Sequence, residues 1–178
     1  MFKKIMIITL VVLVLAGFAA TGGATKRGRG HDVSISSLST DATADAAAKI
    51  VTDTVMAAVT VDSNGKVVGI NIDDAQITLA VDNTGKLTTD KSTVFKTKDE
   101  LGTDYGMIKF GGSKYEWNQQ VAFIEGWMVG KTASQIAAMK TKDGAEGKIA
   151  DEADLVGKVS ITVPIFLKVV AEAMTNAK

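Results

Sequence analysis

One six-residue pattern occurs twice in this chain, twenty positions apart: Val61-Asp62-x-x-Gly65-Lys66 and Val81-Asp82-x-x-Gly85-Lys86. Asp, Asn and Gly tolerate the backbone angles of a tight reversal, so each copy predicts a hairpin turn. The flanking residues alternate as strands do. Val55, Ala57, Val59 and Val61 interleave with Met56, Ala58 and Thr60, and Val67, Val68, Ile70 and Ile72 follow the first turn. Asp73-Asp74 is expected to break that second strand, with a third running from Gln76 to Val81 and Leu87-Thr88-Thr89 beyond the second turn. Strands joined by such short turns pair antiparallel. Neither turn has the Asp-x-Asp-x-Asp-Gly spacing or the distal glutamate of a calcium loop, so they are assigned to an antiparallel meander rather than to metal binding.

The second half changes period. Ser or Thr precedes Glu or Gln by three residues at Thr97/Glu100, Ser113/Glu116 and Thr132/Gln135, the spacing of a reciprocal helix N-cap. The first predicts a short turn ended by Gly102. The second predicts a helix over about Lys114 to Val129, with Trp117, Val121, Ile124 and Met128 on one face and Gly130 as its stop. The third carries Ile136 and Met139. Lys140 to Glu152 is polar, with Gly144 and Gly147, and reads as a surface loop. Val156 to Ile161 is expected to be a short strand. Thr162 is expected to cap a last helix that takes Pro164 in its first turn and has an apolar stripe of Phe166, Val169, Val170 and Ala173. The fold class is therefore α+β: a small antiparallel β meander with helices packed on one face.

Lys3 and Lys4 precede an unbroken apolar run from Ile5 to Leu15, and small residues follow as far as Ala24. That order is an export signal, assigned to residues 1–24. An uncleaved membrane anchor is the alternative, although the run is shorter than the ~20 residues a spanning helix needs. The expected location is thus secreted or at the cell surface, with membrane contact only in transit. Residues 25–44, rich in Gly, Ser, Thr and basic groups and holding the single histidine, His31, are expected to be a flexible tether. Residues 45–178 form the single folded domain, with Asp41 to Lys49 helix or loop.

Composition narrows the chemistry. The chain has no cysteine, which excludes disulfides, thiolate metal sites and a cysteine nucleophile. Lys+Arg and Asp+Glu number 20 each, so there is no basic excess for nucleic acid. The carboxylate groups Asp73-Asp74, Asp99-Glu100 and Asp151-Glu152-Asp154 are sequence neighbours, which does not bring two acids together across a cleft. No nucleophile elbow, phosphate loop, dinucleotide fingerprint or zinc spacing occurs. The residues thus show no catalytic constellation and no metal ligands. Trp117 and Trp127 are core candidates whose faces would also suit a flavin, sugar or base. Tyr105 follows a glycine stop and can line a pocket mouth.

Two stretches carry a resemblance. Lys96-Thr97-Lys98-Asp99-Glu100-Leu101-Gly102-Thr103-Asp104-Tyr105-Gly106-Met107, then Glu116-Trp117-Asn118-Gln119-Gln120 and Gly130-Lys131-Thr132, resemble a set of exported proteins and lipoproteins of Gram-positive bacteria, over about residues 55–178. The wider layout resembles the FMN-binding domain of the C subunit of sodium-pumping NADH:quinone reductase and of exported electron-transfer flavoproteins. In that domain Asp-x-x-Ser-Gly-Ala-Thr-x-Thr enters a helix. Here Asp154-Leu155-Val156-Gly157-Lys158-Val159-Ser160-Ile161-Thr162 stands in its place. Ser160 replaces the threonine that receives FMN through a phosphoester, and Gly157-Lys158-Val159 replaces Ser-Gly-Ala. The resemblance implies an exported domain that binds FMN or a similar planar ligand in a redox or carrier role, without the covalent link. Ser160, Thr162 and Lys158 are expected beside the phosphate, with Tyr105 and Trp117 also in the cofactor site. A cofactor-free module that binds a partner at the cell surface or envelope is the alternative.

Overall fold

In the computed structural model, which describes residues 23–39, 42–43 and 46–178, three long strands form one antiparallel sheet in the order β1-β2-β3. They are β1 (Lys26–Leu38), β2 (Ala48–Val61) and β3 (Val67–Val81). The helical half follows as α1 (Lys98–Leu101), a 3₁₀ turn (Gly102–Tyr105), α2 (Met107–Gly111), α3 (Trp117–Met128) and α4 (Ala133–Ala137). A two-stranded hairpin, β4 (Thr141–Asp143) and β5 (Lys148–Ala150), precedes α5 (Pro164–Thr175). The molecule is mixed α+β, an antiparallel meander with a helical half. Most of the expected export signal (residues 1–22), Thr40, Asp41 and Ala44 of the expected tether, and Asp45 at the start of the expected domain lie outside the described residues. Among those described, no helix is long and apolar enough to cross a membrane.

The alternation in β2 is realised directly. Val55, Ala57, Val59 and Val61 are buried, while Met56 between them is exposed. Both repeated turns form in the same way. Asp62 Oδ1 accepts from the Asn64 and Lys66 amides and Asp82 Oδ1 from those of Thr84 and Lys86, all at 2.9–3.0 Å. Gly65 and Gly85 take φ of +72° and +83°, angles that a Cβ would strain. The Lys66 and Asn64 amides hold the Asp62 carboxyl below the ordinary aspartate range, and the Thr84 hydroxyl, followed by the Lys86 and Thr84 amides, does the same for Asp82.

The expected tether is instead the edge strand β1. It pairs with β2 from Lys26↔Val61 to Leu38↔Ile50, with a bulge between Ile35 and Ser37. The physical reason lies in Gly28 and Gly30, both buried beneath α5. A Cβ on Gly28 would sit 1.8 Å from the Ala173 carbonyl oxygen, and one on Gly30 would sit 2.0 Å from that of Val169. The glycines that suggest flexibility are what let helix backbone lie directly on the strand. Helix α5 also occupies the open edge of β1. Arg27 and Lys178 exchange two backbone hydrogen bonds (3.2 and 3.1 Å), the His31 amide donates to Glu172 Oε2 (3.0 Å), and Asn176 Nδ2 donates to the Arg29 carbonyl (3.1 Å). Lys168 pairs with Asp32. On its inner face Phe166, Val169, Val170 and Ala173 are buried as their spacing predicts, the larger side chains each worth about 1.5–3 kcal/mol relative to exposure.

Other expectations are corrected. Asp73-Asp74 does not break the strand, because Asp74 points inward to a buried lysine partner and β3 runs on to Val81. The longer helix begins at Trp117, and its reciprocal cap is Glu116 with Gln119 rather than Ser113 with Glu116. The Glu116 carboxylate also accepts from the Met107 and Ile108 amides (2.8 and 3.3 Å), tying α2 to the start of α3. The polar loop of residues 140–152 contains β4 and β5. Val156 to Ile161 is turn rather than strand. The last helix starts after Val163 with Pro164 in its first turn; Thr162 bridges to Ile149 instead of capping. The Thr97/Glu100 and Thr132/Gln135 caps form as read.

Candidate functional site

Two clefts open side by side where the helical half meets the sheet and the 155–162 segment. The first, of about 520 Å³, is lined by Ser113, Lys114, Tyr115, Gln120, Lys158 and Ser160, among others. The second, of about 390 Å³, is lined by Asp74, Lys98, Tyr105, Trp117 and Thr162, with Asp53 behind them. Met107 and Glu146 line both, so the clefts adjoin. Each volume falls in the range of small-molecule sites, about 300–1,000 Å³. The five residues singled out from sequence are thus split: Lys158 and Ser160 on the first cleft, Tyr105, Trp117 and Thr162 on the second.

The first cleft carries two lysines. The Lys158 ammonium lies 5.4 Å from the Phe123 ring centre and that of Lys114 lies 5.2 Å from the Tyr115 ring centre. Its floor is organised by Gln120 of α3, which is 1 % exposed. Gln120 Oε1 accepts from the Ser160 amide (2.7 Å), the Ile161 amide (3.2 Å) and the Ser160 hydroxyl (3.3 Å). Its Nε2 donates to the Tyr115 carbonyl at 2.9 Å. One side chain therefore holds the 160–161 segment in place. Replacing Gln120 with leucine leaves two amides and one carbonyl in part-buried positions without their partner. The expected result is a loss of about 2–3 kcal/mol in urea unfolding.

The second cleft is built around a buried ion pair. Lys98 Nζ lies 2.6 Å from Asp74 Oδ2 and 3.9 Å from Asp53 Oδ1. Gln76 Nε2 donates to Asp53 Oδ1 at 2.9 Å. The Lys98 ammonium faces the rings of Tyr105 (5.2 Å) and Trp117 (5.8 Å). Trp117 itself is buried and packs edge-on to Phe166, so part of its ring serves the core. Burial works against the charge on Lys98, but the Asp74 carboxylate outweighs it and holds the ammonium above its ordinary value. Burial pushes the Asp74 carboxyl up, and Lys98 pulls it back only in part. Asp74 Oδ1 is buried with no hydrogen-bond partner among the described residues.

Lys98, Asp74, Asp53 and Gln120 escape a sequence reading. Lys98 sits inside the Thr97/Glu100 capping pattern, where a lysine ordinarily points to water. The interruption of the strand pattern by Asp73-Asp74 was the available signal: a carboxylate at an inward strand position requires a buried partner. Trp127 lies apart from both clefts, with the Lys131 ammonium 4.3 Å from its ring centre. Among the described residues no cluster of three or more metal-ligating side chains occurs. No protein family, curated protein or solved structure matches this chain.

Proposed function

We propose that this is an exported FMN-binding-like domain that holds flavin, or a planar ligand of similar build, without a covalent bond, in a redox or carrier role. The observation that carries the reading is the division of labour between the two adjoining clefts. One offers Lys158, Lys114 and the Ser160 hydroxyl, donors suited to a phosphate. The other offers the half-buried ring of Tyr105, with the buried Trp117 and the Thr162 hydroxyl beside it, suited to a flat ring. A phosphate-tailed heterocycle has that same polarity from end to end. The Ser160 hydroxyl already has Gln120 as a partner, which supports its use in holding rather than in bonding covalently. A flavin in this position would supply the redox chemistry, and the chain would bind and orient it.

Titration of the purified protein with FMN is the test. Flavin fluorescence should quench with saturation, and flavin should leave again on extensive dialysis, as a non-covalent ligand does. Absence of both quenching and co-elution would defeat the reading. Lys158→Glu is expected to weaken FMN about tenfold or more while leaving riboflavin, which lacks the phosphate, nearly unchanged.

The cofactor-free interaction module is the second reading, favoured by a different observation. On β1, Val33 and Ile35 are 64 % and 66 % exposed, and Leu38 beyond the bulge is 58 % exposed. Retention of the protein on cell-wall material, together with no response to FMN, would support it.

A further inference from the structure

The ion pair in the second cleft is unbalanced. Asp74 is 4 % exposed, and its two oxygens have different surroundings. Oδ2 takes the Lys98 ammonium at 2.6 Å. Oδ1 is buried with no partner among the described residues, although Asp74 lines the cleft. An unmet buried carboxylate oxygen is costly. The lysine has capacity to spare as well. It carries three N–H groups; Asp53 Oδ1 is beyond hydrogen-bond range at 3.9 Å, and the other neighbours are Tyr105, through its hydroxyl as well as its ring, and the Trp117 ring.

The wall of the cleft therefore holds an acceptor and a cationic donor side by side, next to the Tyr105 ring. A cationic ligand would meet Lys98, and an anionic one would meet Asp74 and Asp53. The arrangement suits a neutral edge that carries an N–H next to a carbonyl. A planar heterocycle with an imide edge has that pattern, and a flat face suits the half-buried Tyr105 ring.

We infer that the second cleft reads the imide edge of a planar heterocycle, with Asp74 Oδ1 accepting from the ring N–H and Lys98 Nζ donating to the adjacent carbonyl. This rests on the flavin reading above, whose phosphate end is assigned to the first cleft. It goes further in naming the ring edge as the recognised group and two residues that the sequence resemblance does not supply. A ring bound this way would remove the unmet acceptor at Asp74.

The test compares FMN with its N3-methyl derivative, which keeps the phosphate and the ring but lacks the imide N–H. The native protein is expected to bind the methylated flavin roughly tenfold to a hundredfold more weakly, the cost of losing a hydrogen bond to a buried charged group. A second protein separates donor loss from crowding by the methyl group. The double variant Asp74→Leu with Lys98→Met replaces the pair by apolar groups of similar volume, a change that often preserves folding. It should bind the two flavins within about twofold of each other, because no acceptor remains to lose. Equal affinities in the native protein would overturn the imide assignment and leave flavin binding standing. An undiminished preference in the double variant would overturn it too, by placing the discrimination elsewhere. Failure of FMN itself to bind would overturn the broader reading and this assignment with it.

Discussion

Substituting alanine for Gly28 or Gly30 is expected to destabilise the fold by more than about 3 kcal/mol each, the upper end of what overpacking ordinarily costs. The new Cβ at Gly28 would lie 1.8 Å from the Ala173 carbonyl oxygen and 2.7 Å from the Ala177 amide nitrogen. At Gly30 it would lie 2.0 Å from the Val169 carbonyl oxygen and 2.8 Å from the Ala173 amide nitrogen. All four atoms are backbone, so no rotamer change relieves the clash. Helix α5 must lift from β1, and the burial of Val169, Val170 and Ala173 goes with it. Gly69→Ala is the control: its Cβ would meet nothing closer than 3.7 Å, the Thr60 Cβ, and it should change stability by less than about 1 kcal/mol. Urea unfolding of the three variants measures the contrast. Equal, small losses at all three positions would show that the strand and helix are not in direct backbone contact.

Removing the Lys98 ammonium is the second large effect. Lys98→Met leaves Asp74 buried without its cation, and breaking a buried pair from one side costs about 3–5 kcal/mol. The loss should depend on pH, and the sign follows from the shifts. Burial raises the Asp74 carboxyl above its unfolded value, so the folded state takes up its proton first as pH falls. The penalty in Lys98→Met is then largest at neutral pH and shrinks as pH falls through the raised Asp74 value, where the carboxyl becomes neutral. In the native protein Lys98 is held above its ordinary value, despite burial, by Asp74. Its stabilising contribution is therefore complete below the unfolded lysine value and is lost as pH rises through the folded one. Chemical unfolding of both proteins from neutral to mildly acid pH should show the two stabilities converging. A pH-independent difference would mean that Lys98 contributes packing rather than charge.

These two sites mark where the chain was legible and where it was not. The paired Asp-x-x-Gly-Lys turns, the alternation of β2, the capping boxes at Thr97 and Thr132 and the stripe of α5 all rest on contacts within a few residues. Local spacing records such contacts, and the structure has them where the spacing puts them. The cap expected at Ser113 does not form because two overlapping patterns compete there. Glu116 is the last residue of one and the first of the other, and its bonds to the Met107 and Ile108 amides favour the second. Lys158, Ser160 and Thr162 follow from the resemblance, and Tyr105 and Trp117 from their aromatic rings and their positions in the sequence. That they line adjoining clefts depends on α3, the 3₁₀ turn and the 155–162 segment meeting in space.

By itself the sequence determined the antiparallel meander, the change to helical period after it, and the absence of any thiol chemistry. Only the tertiary structure decided that a glycine-rich, basic segment is a strand, because its partner is a helix more than a hundred residues away and the glycines matter for the side chains they lack. Only the tertiary structure joined Lys98 to Asp74 and Gln120 to Ser160. A buried charge or amide is tolerable only with a partner, and these partners are distant along the chain, where spacing carries no record of them.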